Sequence, residues 1–115
     1  MRRPVDRWAD DGAEGGIVGP VAAYRDGQAH EAYVAGHPLV IVAIDGQIHA
    51  LDGRCPHRHA LLTEGRLEGD GVRCPLHGFR FDVRSGACLW PSGAAPVPTY
   101  DTRVEGALLL VRMAW

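Results

Sequence analysis

Two short segments that each combine a cysteine with a histidine constrain this chain more than any other feature. The first is Cys55-Pro56-His57 and the second is Cys74-Pro75-Leu76-His77, with sixteen residues, 58 to 73, between them. Together they offer two thiolates and two imidazoles, which is a complete set of four ligands for a metal site. The four ligands can act together only if two loops face each other, so the fold must provide such a pair of loops.

The ligand types alone leave the metal open, because zinc accepts two cysteines and two histidines equally well. Zinc fingers usually keep both cysteines in one segment and both histidines in the other, whereas each segment here is mixed. If the loops face each other, both cysteines can bind one iron and both histidines a second iron. That arrangement is the ligation of a Rieske [2Fe-2S] centre.

Three further stretches extend the pattern. They are ALDGRCPH, which ends at the first histidine, HGFRFDVRSG, which begins at the second histidine, and the proline-containing loop 93–98. With them, residues 33 to 113 resemble the Rieske ferredoxin family. The resemblance implies one [2Fe-2S] cluster whose ligands are Cys55, His57, Cys74 and His77. It also implies a β-barrel or sandwich base with a cluster-binding subdomain at about 53–80, and histidines that bind through Nδ1 and present Nε2 to solvent as the electron exit.

The same resemblance identifies residues around the cluster. We expect the following to pack beside the cluster or to contact partners: Arg58, His59, Leu76, Gly78, Phe79, Phe81 and Pro96. Respiratory members of the family carry a loop disulfide at the positions of Ala60 and Leu76, which excludes that bond here. Their serine and tyrosine donors correspond to Phe79 and Phe81, which cannot donate. We therefore predict a potential near the low end of the Rieske range, about −150 mV.

Short apolar runs separated by turn residues fill the rest of the chain, and no segment has helical periodicity. This pattern predicts an all-β fold, an antiparallel barrel or sandwich, in a single domain over residues 1–115. The strongest predicted hairpin joins LVIVAI to IHAL across Asp45-Gly46, since glycine accepts a positive φ. Residues 21–25 are predicted to form a first strand, and residues 1–20 an irregular arm.

Composition narrows the partners and the compartment. A net charge of −2 and a pI near 6.3 argue against nucleic-acid binding. No run approaches the roughly 18 apolar residues of a membrane span. The first residues lead into acidic positions instead of an apolar secretory segment, so we expect a cytoplasmic protein. In a reducing compartment, cysteines beside histidines indicate metal binding before a disulfide. We also expect a monomer, and Cys88 as a small buried thiol.

The resemblance implies a soluble one-electron carrier between a flavin-dependent ferredoxin reductase and a terminal oxygenase, either an aromatic-ring dioxygenase or a diiron monooxygenase. The chain is too short to add a catalytic iron domain, and no remaining histidines suggest a facial triad, so we expect no catalysis by the chain alone. Two alternatives stay open: a small subunit of an assimilatory nitrite reductase-like enzyme, and a zinc-stabilised interaction module. The charged residues of 58–73 form a candidate docking rim.

Overall fold

The computed structural model describes residues 14–56, 61–75 and 78–113. Within these residues, eleven strands pair only antiparallel, and the sole helical pieces are 3-10 turns at Val21–Ala23 and Leu62–Glu64. The strands are β1 (Glu14–Pro20), β2 (Gln28–Val34), β3 (His37–Ile44), β4 (Gln47–Asp52), β5 (Arg66–Glu68), β6 (Gly71–Arg73), β7 (Arg80–Asp82), β8 (Cys88–Trp90), β9 (Thr99–Tyr100), β10 (Thr102–Glu105) and β11 (Leu108–Met113). The predicted all-β fold is confirmed. No helix in the described part of the chain is long and apolar enough to span a membrane.

These strands form three sheets, and β3 is buried on both of its faces. The sheet orders are β1-β11-β10, β2-β3-β4-β9 and β5-β6-β7-β8. Successive side chains of a strand point to opposite faces. Leu39 and Ile41 therefore join a core cluster with β11, whereas Val40 and Val42 join a second cluster that contains Cys55. Two-sided burial explains why LVIVAI is a continuous apolar run.

The β3–β4 hairpin forms where the sequence predicts it. Ile44 pairs with Gln47, which leaves a two-residue turn of Asp45 and Gly46. Their φ values are 53° and 77°, and positive φ at both central residues defines the type I′ turn that suits the twist of a hairpin. The hairpin directs the end of β4 toward Cys55.

The N-terminal region differs from the expectation. The prediction of an irregular arm is wrong for Glu14–Pro20, which form β1 along the free edge of β11, while residues 1–13 lie outside the described residues. The glycines of β1 give it no apolar alternation, so the sequence pattern does not indicate a strand. Gly16 is nevertheless needed there, because a Cβ at this position would collide with Val34 Cγ1. The predicted strand over residues 21–25 is also wrong, since Val21–Ala23 form a 3-10 turn.

The third sheet carries the second of the two cysteine segments. Its β5–β6 hairpin turns at Gly69-Asp70, within the turn predicted from Gly69-Asp70-Gly71, and β7 follows the Cys74 loop. The sheet then continues to Trp90 at the end of β8, about ten residues beyond the end predicted for the cluster-binding subdomain. The unit that supports this loop is thus larger than the motif itself.

Candidate metal centre

The first cysteine loop is closed at its base next to β3. An isolated antiparallel bridge pairs Arg54 with Leu61. These two residues flank the loop that begins with Cys55. The Gly53 N–H donates to the Pro38 carbonyl at 2.8 Å. A Cβ on Gly53 would lie 2.6 Å from the Pro38 carbonyl carbon. Only glycine lets the loop start this close to β3.

The second cysteine loop has its own closure. The Cys74 N–H donates to the Phe79 carbonyl at 2.6 Å. Gly78 has φ of 70°, which glycine adopts at little cost. Arg73 braces the loop, because its Nε donates to Glu68 Oε2 at 2.7 Å while its Nη1 lies 3.5 Å from the Gly78 carbonyl oxygen. The hydrogen bond from Arg73 to Glu68 is the main reason that the pKa of Glu68 is lowered.

The two loops place two buried thiols in one apolar cluster. Cys55 and Cys74 are each 1% exposed, and neither forms a disulfide. Their cluster also contains Val40, Val42, Leu51, Leu62, Val72, Phe81, Val83 and Val97. Thiolates are soft ligands for iron–sulfur clusters, and an apolar shell limits access of water to such a site. The described donors therefore fit an iron–sulfur centre.

The other half of the predicted ligand set cannot be placed. His57, Arg58, His59, Leu76 and His77 lie outside the described residues. Among residues 14–56, 61–75 and 78–113, no group of three or more potential metal-binding side chains occurs. The two thiols are thus the described part of the predicted site, and the histidine ligands stay a prediction.

The predicted neighbours of the cluster fall in different environments. Phe81 is fully buried among the same apolar residues as the cysteines, and Phe79 packs against them. Pro96 is exposed, whereas the adjacent Val97 is 2% exposed and belongs to the cysteine cluster. Val97 was not identified from the sequence, although an apolar residue between two prolines in the third loop was a usable signal.

Cys88 and Trp90 lie at the outer edge of the third sheet. Cys88 is half-buried and its Sγ lies 3.2 Å from the Trp90 carbonyl oxygen, so it is less buried than predicted. Trp90 is 56% exposed. Its ring contacts Phe79 edge-on, with 6.5 Å between the ring centroids. Trp90 therefore extends from the second cysteine loop to the surface.

A polar network beneath the first loop was missed from the sequence. Asp52 Oδ2 accepts from His37 Nε2 at 2.9 Å and from the Tyr100 hydroxyl at 3.1 Å. Arg54 Nη2 lies 2.9 Å from His37 Nδ1, and since a guanidinium can only donate, the neutral ring with its proton on Nε2 satisfies both contacts. The network joins β3, β4 and β9, and its member Arg54 directly precedes Cys55.

Alkaline pH should weaken this network through Tyr100. Burial, followed by the charge of Asp52, raises the pKa of Tyr100 to about 12. The folded state then holds the phenolic proton more tightly than the unfolded state, whose pKa is about 10. The contribution of the protonated Tyr100 to the free energy of unfolding is complete below pH 10 and is lost as pH rises toward 12. Urea unfolding at pH 8 and pH 11 should show a smaller pH dependence for Tyr100→Phe than for the wild type.

Tyr33 offers the matched control for this measurement. Its side chain is at the surface and its hydroxyl donates to Glu31 at 3.1 Å, so solvent screens the contact. Tyr33→Phe should keep the pH dependence of the wild type. Equal pH dependence in Tyr100→Phe and the wild type would contradict the role of the network.

A glycine between the two loops should be intolerant of any side chain. Gly65 lies against the Arg73 backbone, and a Cβ at this position would overlap the Arg73 carbonyl oxygen. Because the neighbour is backbone and cannot rotate away, Gly65→Ala should lower the free energy of unfolding by about 1–3 kcal/mol. Chemical denaturation checks this value. Gly69→Asn is the control, since nothing lies within 4 Å of Gly69 and asparagine tolerates its φ of 60°.

Comparison with known proteins identifies the family of the chain. The model of the Rieske [2Fe-2S] domain matches residues 16–101. The chain belongs to the Rieske [2Fe-2S] domain family. Its characteristic cofactor is a Rieske-type [2Fe-2S] cluster, so the family and cofactor predicted from the sequence are confirmed, and the zinc alternative is not supported.

Several relatives that cover most of this chain are ferredoxin components of oxygenase systems. The ferredoxin component of the naphthalene 1,2-dioxygenase system of Pseudomonas aeruginosa is 32% identical over 99 residues, which cover 84% of this chain and 95% of that protein. The ferredoxin of carbazole 1,9a-dioxygenase from Nocardioides aromaticivorans IC177 has a TM-score of 0.77 and 30% identity, covering 84% and 95% of the two chains. A structure of the complex of reduced oxygenase and oxidized ferredoxin in carbazole 1,9a-dioxygenase matches with a TM-score of 0.77 and 26% identity, covering 84% of this chain and 91% of that chain.

Proposed function

We propose that this chain is the ferredoxin of a multicomponent oxygenase system, which accepts single electrons from a flavin-dependent reductase and passes them to a terminal oxygenase. The observation that carries the proposal is the pair of buried thiols without a disulfide at two closed loops in a Rieske domain. Relatives that cover most of the chain are ferredoxin components of such systems. The cytoplasmic location predicted from the sequence stays part of the proposal.

In this proposal, Cys55 and Cys74 would hold one iron of the cluster, and His57 and His77 would hold the other. The chemistry supplied by the bound cluster would be reversible one-electron transfer. The chain contributes the apolar shell that limits water around the thiolates, and Arg73 and the Arg54–Leu61 bridge keep the loops closed at their bases. Closed loops limit rearrangement of the ligands when the charge changes. The terminal oxygenase, rather than this chain, activates oxygen.

Reconstitution tests the proposal directly. The purified holoprotein should contain two irons and two acid-labile sulfides per chain and should bleach partly with dithionite. It should also be required for NADH-dependent turnover by a flavin-dependent reductase and a terminal oxygenase from the same organism. Turnover at an undiminished rate without the chain would contradict the carrier role.

The alternative as a nitrite reductase subunit makes a different prediction. In that case the chain should copurify with a sirohaem reductase, and omission of the chain should lower nitrite reduction. Under the proposed function, omission should leave nitrite reduction unchanged and should abolish oxygenase turnover. The same preparation therefore distinguishes the two functions.

A further inference from the structure

Three arginines and a tryptophan form a row across the outer face of the third sheet. Arg66 pairs with Arg73, Arg73 with Arg80, and Arg80 with Trp90, so one register line crosses all four strands. With strands about 4.8 Å apart, the row is about 14 Å long. The adjacent register line contains Leu67, Val72, Phe81 and Cys88, which belong to or pack against the cysteine cluster. The arginine row therefore lies on the opposite, solvent-facing side.

The row is close to the second cysteine loop. Arg73 directly precedes Cys74, and Arg80 directly follows Phe79, whose ring contacts Trp90. Arg73 also bonds within the loop through its contact with the Gly78 carbonyl oxygen. A protein bound to this row would therefore lie beside the loop from which the electron is proposed to leave.

The charges of the row are poorly balanced by the strands that carry them. Like charges directly opposite each other on neighbouring strands destabilise a sheet. Glu68 lies 2.7 Å from Arg73 Nε and 3.6 Å from Arg66 Nε, so one carboxylate serves two guanidinium groups. Arg80 Nε is buried and has no hydrogen-bond partner among the described residues. The four strands carry three arginines against Glu68 and Asp82, which leaves a net charge of +1 on a chain whose net charge is −2, and Asp82 Oδ1 already accepts from the Arg84 and Ser85 N–H groups.

An exposed apolar edge continues the row. Leu89 and Trp90 are 43% and 56% exposed, and the register shift opposite Arg80 makes Leu89 the extra residue of a β-bulge. A bulge redirects side chains, and here both residues line one groove of about 280 Å³ together with Arg73, Gly78 and Arg80. Aromatic and arginine side chains are the types that dominate binding energy at protein interfaces.

We propose that the arginine row and Trp90 form the docking surface for an acidic patch of the terminal oxygenase. The proposal rests on the carrier function proposed above and adds the chemistry of the contact. Carboxylates of the oxygenase pair with Arg66 and Arg80, and an apolar residue beside them covers Trp90. Opposite charge speeds encounter, and the buried indole slows dissociation. Complexes of oxygenase and ferredoxin are known for a protein of similar fold.

Stopped-flow mixing of the reduced holoprotein with the oxidised oxygenase from the reconstituted system tests this surface. Arg66→Glu and Arg80→Gln should each lower the second-order rate constant about tenfold at low salt and flatten its dependence on ionic strength. Trp90→Ala should weaken the complex about tenfold, and Trp90→Phe should restore most of the affinity. Arg103→Glu on β10 reverses an exposed charge on another sheet and should leave the rate constant unchanged.

Each variant should keep the absorption spectrum, iron content and potential of the wild type, which separates docking from damage to the cluster. Wild-type rates in the row variants, or an equal loss in Arg103→Glu, would overturn the docking surface alone. A loss confined to reduction of the chain by the reductase would assign the surface to the reductase and overturn the oxygenase contact. A wild-type chain that reduces no oxygenase would overturn the carrier function as well.

Discussion

Replacing Cys74 by serine is expected to remove the cluster and to weaken the fold around both loops. A serine hydroxyl is a much poorer ligand than a thiolate for iron–sulfur clusters, and it would leave a polar group in the apolar cluster where Cys74 is 1% exposed. Iron and labile sulfide should fall to background, and the free energy of unfolding should fall by about 3 kcal/mol or more. Cys55→Ser should behave in the same way.

Cys88 provides a control within the same sheet. It is the third cysteine of the chain and is half-buried, with its Sγ near the Trp90 and Pro91 carbonyl oxygens instead of at a loop base. Cys88→Ser should keep the full iron and sulfide content. A cluster retained in Cys74→Ser, or lost in Cys88→Ser, would contradict the proposed ligand set.

The second large effect concerns the potential. The wild-type protein should have a midpoint near the low end of the Rieske range, about −150 mV, because Phe79 and Phe81 replace the hydroxyl donors that stabilise an added electron. His77→Cys should lower the midpoint further, toward the roughly −400 mV of plant-type clusters, because a thiolate adds negative charge. Potentiometric titration followed by absorbance measures both values.

Two observations would count against this reasoning about charge. One is a strongly positive wild-type midpoint, and the other is a raised midpoint in His77→Cys with an assembled cluster. His30→Cys is the matched substitution, since His30 bonds to the Arg25 carbonyl oxygen at 3.1 Å in the β2 region. Its midpoint should equal that of the wild type.

Local sequence signals predicted the parts of the molecule that depend on local chemistry. Asp45-Gly46 specifies its hairpin because two successive positive φ values are needed there. The mixed Cys/His segments specify a metal site because few other roles require those residue types at that spacing. In both cases neighbouring residues in the sequence carry the whole physical requirement.

Features that depend on distant pairing could not be predicted in this way. Asp52 and Tyr100 are 48 residues apart, and their contact exists because β9 pairs with the end of β4. The arginine row becomes visible only when the register of four strands is known. β1 was missed because Gly16 meets a steric requirement of Val34, which hydrophobic periodicity does not report.

The two-sided burial of β3 has a consequence for how the molecule opens. Val40 and Val42 contact the cysteine cluster on one face, and Leu39 and Ile41 contact the cluster shared with β11 on the other. Exposing β3 to solvent therefore requires the separation of both layers. Its amide hydrogens should exchange with deuterium only through global unfolding, even after iron has been removed and the loops exchange rapidly. Loss of the cluster would then leave a folded platform on which the centre can be rebuilt.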